Sequence, residues 1–321
     1  MNSLTRYILK RILIAFFIIV LAGVFAFCVI RFVPGDPVRA MIGSDADEAA
    51  VEAARRSLNL DKPLFTQMQL WFGNILNGNL GRSLVLNDSI NRIFAARIPT
   101  TLSLSIPAFT IAIVFGIFFG TICATHRGSL IDQVLTVYIA GTNGVPIFWL
   151  AILLMNLLGT KLGWLPVIGY VKPSEDLWQW FLHAIMPVAL ISLQPLAAVA
   201  RQVRTNMLEV ISQDYIRTAR AYGVSETRIK YEYALRNALI PVITVVGLQV
   251  PTIIGGSMLI EVCFSIAGMG RLIMTSVSNT DYLVIQALVL FISVVVVLCN
   301  LLLDIVYGLI DPRIRLSSGG K

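Results

Sequence analysis

Charge is what this sequence has least of. Only 13% of its 321 residues are Asp, Glu, Lys or Arg, while 57% are apolar; soluble globular chains carry roughly 25% charged residues. With a mean hydropathy of +0.80, such a chain cannot cover its own surface in water. An ordinary soluble globule is excluded, and lipid is the covering that remains. Histidine is nearly missing: His126 and His183 are the only two. They fall at span boundaries on opposite sides, so they cannot share one metal or a triad. The four cysteines, Cys28, Cys123, Cys263 and Cys299, all sit in apolar runs without a C-x-x-C. That excludes a metal or disulfide framework and leaves small apolar side chains. No H-E-x-x-H or G-x-S-x-G occurs. Nor does a Walker A motif, because Gly319-Gly320-Lys321 has no following helix to receive a phosphate. Catalysis on this chain is not expected, and neither is a metal or cofactor site.

What the sequence does have is long apolar runs. A bilayer core needs about 20 apolar residues in a helix. Six runs free of Asp, Glu, Lys and Arg meet or approach that length: Ile12–Ile30, Leu102–Ala124, Val134–Gly159, Ala184–Ala200, Ala238–Ile260 and Tyr282–Leu303. The first follows Arg6, Lys10 and Arg11. It is too long for a signal h-region and is closed by no A-x-A site, so it reads as a retained span. The fourth is the shortest and contains Pro187 and Pro195.

Lys and Arg set the orientation. With the N-terminus inside, the inner segments hold 14 basic residues and the outer ones 11, eight of these in the long segment Arg31–Arg97. Long translocated loops largely escape the rule, so N-in, C-in is preferred. The formal net charge of +7 is then a product of topology and calls for no nucleic-acid partner. Within the spans lie uncharged polar residues, Asn143, Asn156, Gln194, Gln249 and Asn300, together with Pro187, Pro195, Gly247, Pro251, Gly255 and Gly256. Such residues line cavities or permit close helix packing. Gln194, Gln249 and Asn300 are the candidates for a translocation path, since an amide facing lipid is disfavoured.

Two hydrophilic segments carry more local grammar. In the outer one, Pro34-Gly35-Asp36-Pro37 makes a rigid turn. An acidic cluster of Asp45, Asp47 and Glu48 precedes a helical stretch from Glu48 to Leu58. The inner one is Arg201–Arg236. There Asp214 is placed to cap a helix from Tyr215 to Tyr222, Gly223 to stop it at positive φ, and Ser225 to cap the next helix, with Glu226 in its first turn. Glu226/Lys230 and Glu232/Arg236 have the spacing to support that second helix. So short a first helix is marginal alone in water and must dock on something. Ile216, Ala219 and Gly223 form a strip on one side, flanked by Arg217 and Arg220, with Ala221 a further small residue. An ordinary solvated basic loop has similar composition.

Asp214-Tyr215-Ile216-Arg217-Thr218-Ala219-Arg220-Ala221-Tyr222-Gly223, followed by Ala234-Leu235-Arg236-Asn237-Ala238-Leu239-Ile240-Pro241, resembles the cytoplasmic coupling loop of ABC importer permeases of the dipeptide, oligopeptide, nickel and glutathione branch. Pro34-Gly35-Asp36-Pro37, Gly78-Asn79-Leu80-Gly81-Arg82-Ser83 (with Asn79 where Asp is usual), Gly268-Met269-Gly270 and Asp304 with Tyr307 and Ile310-Asp311-Pro312 fit in order. The likeness covers nearly the whole chain. Arg217-Thr218-Ala219 stands where the general importer signature reads Glu-Ala-Ala, as is usual in the peptide branch. Tyr222 stands where Lys is common, and Ala267 where Pro is.

The resemblance implies an all-α membrane protein with six transmembrane helices of type I importer permease architecture. Residues 1–31 would form the N-terminal end and helix 1, and 32–96 an extracytoplasmic segment. The core would be 97–308, with a coupling loop at 201–238, and 309–321 a cytoplasmic tail. It implies a homologous second permease, two cytoplasmic ATPases that bind ATP and magnesium, and an extracytoplasmic substrate-binding protein, with this chain in the bacterial inner membrane. The implied coupling residues are Asp214 through Gly223, and the implied cargo is di- or oligopeptide, with glutathione, a nickel chelate or an oligosaccharide as alternatives. An ion-coupled secondary carrier is the competing class. Such carriers usually keep ionisable residues inside the membrane, whereas the six cores hold none, Glu261 and Asp304 falling just beyond span ends. A channel would leave the loop unexplained and shows no filter sequence.

Overall fold

A backbone in hydrocarbon has no water to bond, so its polar groups must be satisfied within the segment, which favours helices. The computed structural model describes residues 3–32, 36–42, 47–142 and 144–310. Pro34 and Gly35 of the expected turn, Asp45, Asn143, and Asp311-Pro312 with the rest of the expected tail lie outside the described residues. The helices are α1 (Ser3–Phe32), α2 (Pro37–Ile42), α3 (Glu48–Ser57), α4 (Leu64–Leu76), α5 (Ile90–Thr125), α6 (Leu130–Gly141) and α7 (Ile147–Leu154), the last continuing as a π-helical segment, Met155–Lys161. Then come α8 (Leu177–Ile211), α9 (Asp214–Ala221), α10 (Glu226–Arg228), a second π-helical segment, Ile229–Leu235, α11 (Arg236–Cys263), α12 (Met269–Ser278) and α13 (Tyr282–Ile310). Among the described residues, Arg82 and Ser89 form an isolated β-bridge.

Five of these helices, not six, are long and apolar enough to cross a membrane unaided. The third expected span, Val134–Gly159, is broken. Proline lacks an N–H, and the residue before it is pushed out of the helical region; here Val145 precedes Pro146, which stands as the N-cap of α7. The short fourth span is part of a much longer helix, since Ala184–Ala200 lies inside the 35-residue α8 and keeps Pro187 and Pro195 in its interior.

The centre of the fold is the seam between α5 and α8. Ala108, Ala112, Gly116, Gly120 and Ala124 recur every four residues along α5, and all five are buried. A Cβ on Gly120 would stand 2.5 Å from the Ala200 carbonyl, and one on Gly116 2.8 Å from the Val199 side chain. The two backbones therefore approach as closely as small residues permit. Polar ties join the outlying helices to this seam or to one another. Asp132 of α6 accepts two hydrogen bonds from the Arg204 guanidinium of α8, at 2.8 and 3.0 Å, and a third from the Gly128 amide at 3.0 Å. Arg11 of α1 pairs with Asp304 of α13 at 3.0 Å, and the Tyr7 hydroxyl donates to the Asp304 carbonyl.

Glu261 and Asp304 lie within α11 and α13, which run on past the charge-free cores. A carboxylate is tolerated there because each is paired. Glu261 is fully buried. Its carboxylate accepts from the Thr101 hydroxyl at 2.6 Å and from the Arg271 amide, in the first turn of α12, at 3.0 Å. The Thr101 oxygen in turn accepts the Met269 amide. An anion is held at a helix N-terminus, where free amides converge. Gly268-Met269-Gly270 is glycine-rich because a Cβ on Gly268 would stand 2.4 Å from the Glu261 carboxylate, and one on Gly270 2.3 Å from the Met258 backbone.

Nearby, Gly78 and Gly81 adopt positive φ. Asn79 accepts the Gly81 amide at 2.9 Å, and buried Ser83 donates to buried Asp281, just ahead of α13. In the segment before it, Asp36 accepts from Val38 and Arg55, and α3 ends within a residue of its expected limit.

Gly120→Val should prevent α5 and α8 from closing, at a cost of about 1–3 kcal/mol or more for overpacking. Gly255→Ala, where a Cβ meets nothing within 4 Å, should be tolerated. Thermal loss of the monodisperse peak of detergent-purified protein, measured by size-exclusion chromatography, should separate the two by several degrees.

Candidate functional site

The segment between α8 and α11 is an elbow, and its shape follows from one glycine. Helix α9 spans Asp214–Ala221, with Gln213 as N-cap; Asp214 is inside the helix rather than its cap, and no side chain caps the start. Asp214 instead meets Arg217 at 3.3 Å, and its carbonyl accepts the Thr218 hydroxyl. At the other end Gly223 takes φ +78°. The Gly223 amide then donates to the Arg220 carbonyl and the Val224 amide to the Ala219 carbonyl, the paired bonds of a Schellman stop.

The turn folds the chain back so that Arg220 reaches Glu226 in α10, at 2.6 and 3.4 Å. That carboxylate raises the pKa of the Arg220 guanidinium above its already high value. The expected Glu226/Lys230 and Glu232/Arg236 pairs give way to Arg220/Glu226 and Arg228/Glu232. Each glutamate has one arginine within reach, Arg220 across the turn for Glu226 and Arg228 four residues before Glu232, although Ile229–Leu235 is π-helical. Ser225 stands at the N-cap of α10 without a side-chain bond.

The strip expected to face a partner needs correction. Ile216 is 0% exposed, because the single aliphatic side chain of α9 is the one that holds this short helix to its own chain. Ala219 is half-buried beside it. The outward face is Tyr215, Arg217, Thr218, Ala221 and Tyr222, with Tyr222 85% exposed. Asn237 was quoted in the motif without a role. Its amide donates to the Tyr215 hydroxyl at 3.2 Å and to the Tyr233 carbonyl at 2.8 Å. At the next residue, buried Asn206 of α8 donates to the Ala238 carbonyl at 3.0 Å, and Gln202 braces Asn206. Ala124, Val199, Val203, Met207, Ala234, Ala238 and Val242 form a buried cluster beneath the elbow.

The three path candidates stand in different settings. Gln194 lines a pocket of about 330 Å³ at the break between α6 and α7, with Tyr138, Thr142, Val145, Trp149 and Leu193. Gln249 is half-buried and donates to the Val245 carbonyl of its own helix. Asn300 is exposed on α13.

Space around Gly223 is open, so a substitution there is opposed by its φ alone, at roughly 1–2 kcal/mol for a left-handed residue. Gly223→Val should weaken the elbow more than Gly223→Ala, because the β-branched side chain tolerates positive φ worst. Limited proteolysis of membrane vesicles should then cut residues 212–228 faster in Gly223→Val, with membrane insertion unchanged.

Residues 112–316 match the profile of the binding-protein-dependent transport system inner membrane component, and residues 4–105 that of the N-terminal part of the same component. A di/tripeptide transport system permease of Pseudomonas aeruginosa is 42% identical over 311 residues, covering 90% of this chain and 92% of that protein. A glutathione transport system permease of Escherichia coli is 38% identical over 311 residues, covering 97% of this chain and 99% of that protein. On the extent of both matches, the chain belongs to the family of inner membrane components of binding-protein-dependent transport systems.

Proposed function

We propose that this chain is a permease subunit of an ATP-driven importer that carries di- or oligopeptides across the inner membrane, and that α9 is its contact with the motor. The observation that carries this is the elbow: a short helix clamped by Ile216 and Gly223, with an exposed Tyr215–Tyr222 face, joined by one tight turn to a helix continuous from Glu226 to Cys263. A lever must be stiff at both ends. α9 is stopped sharply at Gly223, and its far side is seated on the segment leading into α11. Family membership and the peptide permease relatives support the cargo class.

In this scheme residues 212–235, both termini and the 126–129 turn lie on the cytoplasmic side, and α6 with α7 makes the sixth crossing despite its break. ATP and magnesium are held by two partner ATPases, whose cleft receives the outward face of α9 from Asp214 to Gly223. A homologous permease completes the pore, and a binding protein delivers cargo to the side that carries α2–α4. Gln194 is positioned to meet cargo where the crossing is broken, since non-helical backbone at membrane depth is tolerated where it lines a cavity or is covered by protein. The glutathione permease relative keeps that tripeptide as a second cargo.

Reconstituted with its ATPases, partner permease and binding protein, the chain should take up radiolabelled dialanine only with ATP inside the reach of the ATPases, and an uncoupler should leave uptake unchanged. Uptake without any ATPase, or uptake abolished by the uncoupler at constant ATP, would identify an ion-coupled carrier instead. A Tyr222→Cys variant should cross-link to the ATPase.

A further inference from the structure

We infer that the π-helical segment Ile229–Leu235 is the element that converts movement of α9 into a register change at the base of α11, with Asn237 as its positioning residue. The inference rests on the docking role proposed for α9.

Helix α9 contacts this segment. Its inner edge is fixed, Ile229 and Ala234 being 0% exposed, while Tyr231 is 53% exposed. Asn237 touches both neighbours at once, bonding Tyr215 of α9 and the Tyr233 carbonyl inside the π turn. Displacement of α9 is therefore delivered to a helical turn of unusual pitch.

Such turns are rare and recur at functional sites. Their i→i+5 rings hold one residue more than the α-helical ring. The extra residue can move along the helix, and each residue it passes shifts by one position, about 100° and 1.5 Å. Residues beyond it stay where they were. Glu261 can thus keep its grip on Thr101 and α12 while the base of α11 reorients.

Two further features favour movement in this direction. Pro241 lies six residues past the segment, inside α11. It has no N–H to donate to either ring, so an α-helical turn ending there has no bond to lose. The frame is also unequal. Gly116 and Gly120 of α5 interlock with the backbone of α8, whereas Gly255 and Gly256 of α11 meet nothing within 4 Å and Gly247 meets the flexible Leu303 side chain. α5 and α8 are the more tightly interlocked pair, and a turn of the base of α11 has to exchange the Asn206 bond to the Ala238 carbonyl for another partner.

Deleting Tyr231 removes the extra residue and should make the segment α-helical with both flanks in register. In the complete importer in proteoliposomes, the deletion should leave the ATPase bound at wild-type yield and hydrolysing ATP, while dialanine transported per ATP falls at least tenfold. Tyr231→Ala, which keeps the extra residue, should stay within twofold of wild type. Uptake per ATP within twofold of wild type in the deletion overturns the inference while leaving the docking role intact. Failure of Tyr222→Cys to cross-link to the ATPase in the undeleted chain overturns the docking role itself. If the deletion does not assemble, hydrogen exchange on the wild-type complex decides. Amides of residues 229–240 should change exchange rate at least tenfold between nucleotide-free and vanadate-trapped states, while those of α8 between 192 and 207 stay constant. Equal exchange across 229–240 in the two states overturns the inference.

Discussion

The fold depends on how closely α5 and α8 can approach. In lipid there is no hydrophobic gain from pressing one apolar helix against another, so association relies on tight contact and on polar bonds between helices. Five small residues, four apart on α5, bring its backbone against Leu196, Ala200 and Val203. Once that pair is fixed, the Asp132–Arg204 bonds place α6, and Asn206 places α11 through the Ala238 carbonyl. Breaking one partner of a buried ion pair strands the other charge, at about 3–5 kcal/mol. The ties around the seam are therefore hard to lose singly.

The same economy operates at both ends of the bundle. At one, a buried carboxylate fastens the start of α12 to α5 through Thr101. At the other, a glycine stop and a buried isoleucine shape α9. In each case a short helix, marginal alone, is held by one side chain reaching a neighbouring element. The centre is rigid and its attachments few, an arrangement that lets a peripheral piece move without dissolving the whole.

Much of this was legible in the residues. Apolar runs gave the long helices because their length is imposed by the bilayer, and Gly223 gave the stop because few other residues accept its φ. The break in the third crossing was signalled by Val145-Pro146 but masked by uninterrupted hydrophobicity, which measures solubility in lipid and not helical continuity. The inward turn of Ile216 was missed because a strip of small and aliphatic residues looks alike whether it faces its own chain or another. The hold of Glu261 on α12 could not be read from the residues, since its Thr101 partner is 160 positions away. The Ala108–Ala124 repeat was present in plain spacing, and the π segment has no signature in composition at all.

The turn at Gly78–Ser83 is closed by Asn79, whose side-chain oxygen receives the Gly81 amide. A carboxylate in that position would surrender its acceptor strength once it is protonated. An amide has no proton to gain in that range. The Gly81–Asn79 bond at this corner therefore keeps its shape when the surrounding medium turns sour.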